Sequence, residues 1–134
     1  MILLDANLFM YAAGGEHPCK EPSGRYLQQV AGGEVDGVID AEVLQEILHR
    51  YRAIGRWRDG RRVFDLARTI VPLVLPVTAT ILDRTRILLD RYEHLMARDA
   101  LHAAVALQHT GGEICSFDSD FDLIEGIRRR KPAG

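Results

Sequence analysis

"GVIDAEVLQEILHRYRAI", residues 37–54, changes its hydrophobic period part-way along. Gly37 to Asp40 form a short apolar run of strand length. From Asp40 to Ile54, Val43, Leu44, Ile47, Leu48, Tyr51 and Ile54 share one face of a helix, with Asp40 placed as its N-cap. The same alternation recurs along the chain. Ile2-Leu3-Leu4 is a strand-like run ending at Asp5, "LVL" at 73–75 is bracketed by Pro72 and Pro76, and Ile114 to Phe117 make a fourth run. Between the last two, Ile81, Leu82, Thr85, Leu88, Leu89 and Tyr92 line one helical face, and Thr80 with Asp83 matches a capping box. An alanine-rich helix beginning near Asp99 stops at Gly111-Gly112. Short strands separated by helices predict βαβ units, and therefore an α/β fold whose central, mostly parallel twisted sheet is covered on both faces. No repeat, linker or low-complexity tract interrupts the pattern, so residues 1–134 read as a single domain.

Composition narrows the function classes. A chain of 134 residues with 47% hydrophobic and 27% charged residues can bury a sizeable core and is not disordered. The net charge of −2 includes only two lysines, Lys20 and Lys131, the other basic residues being arginine. Cys19 and Cys115 are too few for a disulfide framework and have no metal-ligand spacing. The start, "MILLDANLFMYAA", lacks a basic leader and carries Asp5 within its apolar run, so it does not read as a signal peptide. No apolar run is long enough to span a bilayer. These features predict a soluble cytoplasmic protein without a membrane partner.

The acids carry the chemistry. "ICSFDSDFD", residues 114–122, crowds Asp118, Asp120 and Asp122 behind an apolar run with no basic residue beside them. Two strand-like runs end directly in acid, at Asp5 and at Asp118. In open parallel sheets ligands collect beyond the carboxyl ends of the strands, where the strand order reverses. If the first and fourth strands are neighbours there, the two carboxylates face each other. The plainer alternative is that each caps the next helix. Glu46 borders the apolar face of its helix, one turn after Glu42, and could equally pair with Arg50. Asp99 opens its helix, where an acid also complements the helix dipole. His102, one turn on, suits a core or supporting role, and without an HxxxH or cysteine partner a zinc site is not indicated. A donor set of Asp and Glu suits a hard cation such as Mg²⁺ or Mn²⁺, whose usual companion is phosphate. Such an ion would also offset the repulsion among four or more gathered carboxylates.

"LLDANLFMYA", "VLQEILHRYR", "RDALHAAVAL" and "CSFDSDFD", in this order from Ile2 to about Asp122, resemble the four acidic motifs of PIN-domain ribonucleases, and most of all the VapC toxins of VapBC toxin–antitoxin pairs. No one motif is specific, but the ordered set in a chain of this length is. The resemblance implies a PIN-like α/β/α sandwich in which Asp5, Glu46, Asp99 and Asp118 are the catalytic, metal-binding acids. It makes Asn7, Ser116 and Asp120 accessory residues. It further implies a metal-dependent endoribonuclease using Mg²⁺ (Mn²⁺ as substitute), in which a water activated by the metal attacks phosphorus, with a homodimeric state, an RNA substrate and a cognate antitoxin as partners. One departure is Ala6, where the family often has Thr or Ser after the first aspartate; it removes a hydroxyl but no carboxylate.

RNA approaching an acidic site needs basic residues at the rim. The stretch from Arg50 to Arg68 is rich in arginine, and Arg50, Arg56 and Arg58 are the candidate RNA contacts. Trp57 offers a stacking surface, although Trp57, Val63, Phe64, Leu66 and Ile70 are better read as a core or dimer face. The tail "RRRKPAG" reads as a flexible basic end. An aspartyl-phosphate enzyme is disfavoured, because Asn7 stands where a second acid is needed and neither lysine is near the motifs. The remaining alternative is a catalytically silent PIN-like module that binds RNA or antitoxin, in which the four acids would be free to diverge.

Overall fold

The structure, a computed structural model, describes residues 1–133. Within them the chain runs β1 (Ile2–Leu4), α1 (Ala6–Ala13), α2 (Lys20–Ala31), β2 (Gly37–Asp40), α3 (Ala41–Ala53), α4 (Trp57–Ile70), β3 (Val74–Leu75), α5 (Ala79–Arg91), α6 (Ala97–His109), β4 (Glu113–Cys115), a 3-10 helix (Ser119–Leu123) and β5 (Arg128–Arg130). The strands form one sheet in the order β3-β2-β1-β4-β5, and every pairing is parallel. From the central β1 the chain first builds outward through β2 to β3. It then returns through α5 and α6 to start β4 on the other side of β1. The strand order therefore reverses between β1 and β4, whose carboxyl ends lead to Asp5 and Asp118.

Side chains alternate across a strand, so each strand supplies two cores. Ile2, Leu4, Ile39 and Cys115 point into a cluster with Leu8, Phe9, Val43, Ile47, Val63 and Ala67 from α1, α3 and α4. Leu3, Val38 and Ile114, which lie in one cross-strand row, point the other way onto Ile81, Leu101, Ala104, Val105 and Phe121. The result is a three-layer α/β/α arrangement. Alanines 100, 103, 104 and 106 are fully buried, and their small side chains let α6 lie close against the sheet.

Several local expectations hold. Asp40 caps α3, its Oδ1 accepting from the Val43 amide at 3.0 Å. Gly111 and Gly112 stop α6 with φ of 61° and 86°. The face of α4 turns out to be mainly a packing surface: Val63 is buried, Gly60 sits against Tyr51, and the Arg52 guanidinium lies 5.0 Å over the Trp57 ring.

Other expectations are corrected. The cap of α5 is Thr78, whose Oγ1 accepts from the Ile81 amide, rather than Thr80 with Asp83; helical backbone already begins at Ala79. β4 ends at Cys115, and Ser116 and Phe117 leave the strand. The arginine tail is not a loose end through Arg130. It forms β5, held by backbone pairing to β4 and by Glu113, which accepts from both Arg128 and Arg130. Arg129 donates two hydrogen bonds to Asp122 and a third to the Ser116 carbonyl. Strand identity there comes from a tertiary neighbour, which three arginines in a row cannot announce.

The turn between α6 and β4 is a tight point of the fold. A Cβ on Gly112 would stand 1.9 Å from the Gly126 carbonyl oxygen, on top of a positive φ. Gly112→Ala should therefore destabilise the protein by about 2 kcal/mol or more. Urea unfolding checks this, and an unchanged midpoint would contradict the geometry.

Candidate active site

The loops after β1 and β4 meet at Ser116. Asp5 occupies the N-cap position of α1, yet its side chain makes no capping bond. Its Oδ2 instead accepts from the buried Ser116 hydroxyl at 2.5 Å. The same Ser116 oxygen accepts from the Asp118 amide at 3.0 Å. One hydroxyl thus fixes the spacing of the two strand-end acids. Asp118 does act as a cap, with Oδ1 accepting from the Asp120 amide at 2.9 Å, so it combines the structural role with its place at the site.

Glu46 is not paired with Arg50. Its Oε1 lies 3.0 Å from His102 Nε2, and Arg98 approaches only to 4.0 Å. The other ring nitrogen, Nδ1, donates to Asp40 Oδ2 at 2.7 Å. His102, Asp40 and Glu46 are all buried. Ionised carboxylates only accept, so both ring nitrogens donate and the ring is an imidazolium. Burial alone would push its pKa down, but Asp40 and then Glu46 and Asp5 more than reverse that, holding it well above the ordinary histidine value. With both nitrogens engaged, His102 has no lone pair left for a metal. It aims Glu46.

Asp99, on the first turn of α6, is partly buried beside these groups. Burial, followed by the charges of Asp118 and Asp5, raises its carboxyl to about 6. Asp5 is raised chiefly by burial, against the opposing pull of His102 and Ser116. Ligand atoms of Asp5, Glu46 and His102 lie within 4.8 Å of one another, as do those of Asp99, Asp118 and Asp120. The two triplets are adjacent, since Asp99 feels both Asp118 and Asp5. The four acids singled out from the sequence come from the ends of β1 and β4 and from α3 and α6, and they gather in one basin. Its carboxylate donors and raised carboxyls fit a hard divalent ion, and among the described residues no lysine or arginine pairs with Asp5 or Asp99, His102 being the cation that Asp5 senses.

Other candidates are more scattered. Asn7 lies on the first turn of α1, with its Oδ1 buried and without a hydrogen-bond partner. Arg50 and Arg56 line a cleft beside the basin, Arg56 being held by Asp59 at 2.7 Å; Arg58 is exposed on α4 and does not line that cleft, whereas Arg62 does. Reading the sequence treated Asp40 only as a cap and His102 only as supporting. Asp40 is also a strand-end acid, the same signal that drew attention to Asp5 and Asp118, and that signal could have found it.

The basin makes stability depend on pH. The folded carboxyl of Asp99 lies above its ordinary value of 3.8, so the folded state holds that proton more tightly. Its contribution is present at low pH and lost as pH rises through about 6. In EDTA, Asp99→Asn should remove this loss, leaving the variant more stable than wild type at pH 7 with a smaller advantage at pH 4.5. Urea midpoints across that range check it; a wild type that outlasts the variant at pH 7 would contradict it.

The sequence model of the PIN domain matches residues 2–127. Ribonuclease VapC13 of Mycobacterium tuberculosis (strain H37Rv) is 45% identical over 129 residues, covering 96% of this chain and 98% of that protein. Ribonuclease VapC23 of the same organism is 34% identical over 118 residues, covering 88% of this chain and 93% of its own. Among solved structures, that of M. tuberculosis VapC20 superposes with a TM-score of 0.78 at 17% identity, covering 95% of this chain and 97% of that one. FitAcB from Neisseria gonorrhoeae gives 0.73 at 17% identity, covering 98% of each chain. At such identities the likeness concerns the fold. The sequence matches reach further: the chain belongs to the PIN-domain family, and within it to the VapC ribonucleases.

Proposed function

We propose that this protein is the endoribonuclease toxin of a toxin–antitoxin pair, hydrolysing RNA phosphodiester bonds at the acid basin with Mg²⁺, or Mn²⁺ in its place. One observation carries the proposal: Asp5, Glu46, Asp99 and Asp118, far apart in sequence, converge beyond the carboxyl ends of β1 and β4. A module that only binds has no need to gather buried like charges. Asp5, Asp99 and Asp118 are the residues that would hold the cation, with Asp120 beside them and Glu46 at the inner wall. The cation supplies a Lewis acid that makes water nucleophilic near neutral pH and offsets charge on the phosphoryl oxygens. The protein's own part is placement. Ser116 fixes which oxygen of Asp5 it engages, and His102 does the same for Glu46. Basic side chains at the rim, Arg50 among them, would hold the approaching phosphates against the repulsion of the acids.

VapC membership supports a cognate antitoxin as partner. A homodimer and a cytoplasmic location belong to the same proposal. Among the described residues no helix is long and apolar enough to cross a membrane.

Incubation of the purified protein with total cellular RNA tests the proposal. Discrete fragments should form with Mg²⁺ and not with EDTA. Asp99→Asn should fold and cut more slowly by on the order of a hundredfold or more, the scale of losing one electrostatic contact to the reacting group. Fragments that persist in EDTA and in the variant, or none from folded wild type with Mg²⁺, would contradict it.

A further inference from the structure

Beside the basin lies a cleft of about 730 Å³ between α1, the loop that follows it, α3 and the start of α4. The cleft is continuous in sequence with the acids: Asn7 stands two residues beyond Asp5, and Arg50 one helical turn beyond Glu46. Its walls are apolar where Tyr11, Ile54 and Val63 line it, and cationic where Arg50 and Arg62 do. Among the described residues neither of these arginines has a carboxylate at ion-pair distance, whereas Arg56 is already held by Asp59. The Asn7 amide brings the one buried hydrogen-bonding atom of this wall without a partner, its Oδ1. That atom lies within the wall rather than on its surface, so the ligand contacts come from the apolar and cationic lining.

The walls are also held in place. Lys20 donates to the carbonyls of Gly14 and Ala12, pinning the loop that closes one side. Tyr11 is braced by His17, stacked at 4.5 Å, and by the edge contact with Phe117 at 5.5 Å. A preformed cleft with apolar walls and few polar groups is the usual form of a small-ligand site, and its volume is that of such sites, roughly 300–1,000 Å³. A nucleotide matches both elements, a base for the apolar walls and phosphates for the arginines. An acidic protein segment would also match apolar walls and free arginines; the position of the cleft next to the acids, where the phosphate of an RNA substrate would lie under the reading above, favours the nucleotide.

We propose that this cleft is a nucleotide subsite, receiving one unpaired base of the RNA adjacent to the scissile phosphate. Tyr11, Ile54 and Val63 flank the ring, and Arg50 and Arg62 hold the neighbouring phosphates, with Asn7 at the end of the cleft nearest Asp5. The subsite rests on the endoribonuclease reading above, and gives it a place where a base is held.

Fluorescence anisotropy tests it, with Asp99→Asn as the slow-cutting parent in Mg²⁺. The probes are labelled single-stranded 12-mers of adenylate, cytidylate and uridylate, and a 12-mer of abasic ribose phosphate. At least one base-bearing probe should bind about tenfold or more tighter than the abasic one, as base stacking requires. Tyr11→Leu should shrink that gap to within about twofold while leaving abasic binding unchanged, because an aromatic wall acts on bases and not on phosphates. Ile54→Ala, at an exposed position, should shrink the gap severalfold and serves where Tyr11→Leu does not fold. Arg62→Gln should weaken all probes alike and lower the salt slope by about one. No gap in the parent, or a gap untouched by Tyr11→Leu and Ile54→Ala, overturns the subsite and leaves the cleft to a protein partner. The two readings fail separately. Base-dependent binding through the cleft without cleavage by wild type keeps the subsite and removes the nuclease, and cleavage with no cleft-dependent gap does the reverse.

Discussion

The imidazolium of His102, donating to Asp40 on one side and to Glu46 on the other, is the contact on which the active face depends. It joins the two helical layers across the sheet. Asp40 ends β2 and caps α3, Glu46 lies one and a half turns into α3, and His102 comes from α6 on the opposite side of the sheet. Two buried carboxylates without this cation would have to protonate or take in water, and removing one partner of such a buried ionic group typically costs about 3–5 kcal/mol. The two contacts of the ring add to the packing of the buried α6 alanines in orienting the helix, which carries Asp99, one turn earlier, at the edge of the basin.

A second constraint acts across the strand-order reversal. β1 and β4 are adjacent only because the chain returns to the centre of the sheet after β3, and their first loop residues are then tied by Ser116. The fold thereby concentrates negative charge at its carboxyl edge, and burial, reinforced by the charges of Asp118 and Asp5, raises the Asp99 carboxyl to about 6. Like charges held this way destabilise the protein alone and favour a bound divalent ion. Function and local instability arise from the same geometry, as stability–activity trade-offs lead one to expect.

Much of this was legible from residues alone. The change of period at Asp40 showed the βαβ pattern, and apolar runs ending in Asp5 and Asp118 pointed to the switch point before any pairing was known. The ordered motifs identified the family. What stayed hidden was set by tertiary neighbours. Arg128–Arg130 have no strand pattern and become β5 through β4 and Glu113. Thr78 outranks Thr80 as a cap because helical backbone starts at Ala79, a boundary set by where the chain leaves the sheet. His102 looked like a lone histidine because its partners, Asp40 and Glu46, are more than fifty residues away in sequence. The cleft escaped notice for the same reason: Tyr11, Ile54 and Arg62 share no periodicity.

The central claim is that these acids form a site for one class of ligand, a hard divalent cation. Titrating the purified protein with Mn²⁺ and following the free ion by electron paramagnetic resonance tests it without reference to RNA. Wild type should bind Mn²⁺ saturably, with competition by Mg²⁺ and strong weakening in Asp118→Asn. Folded wild type that leaves Mn²⁺ free at millimolar concentration, or Asp118→Asn that binds as well as wild type, would contradict it.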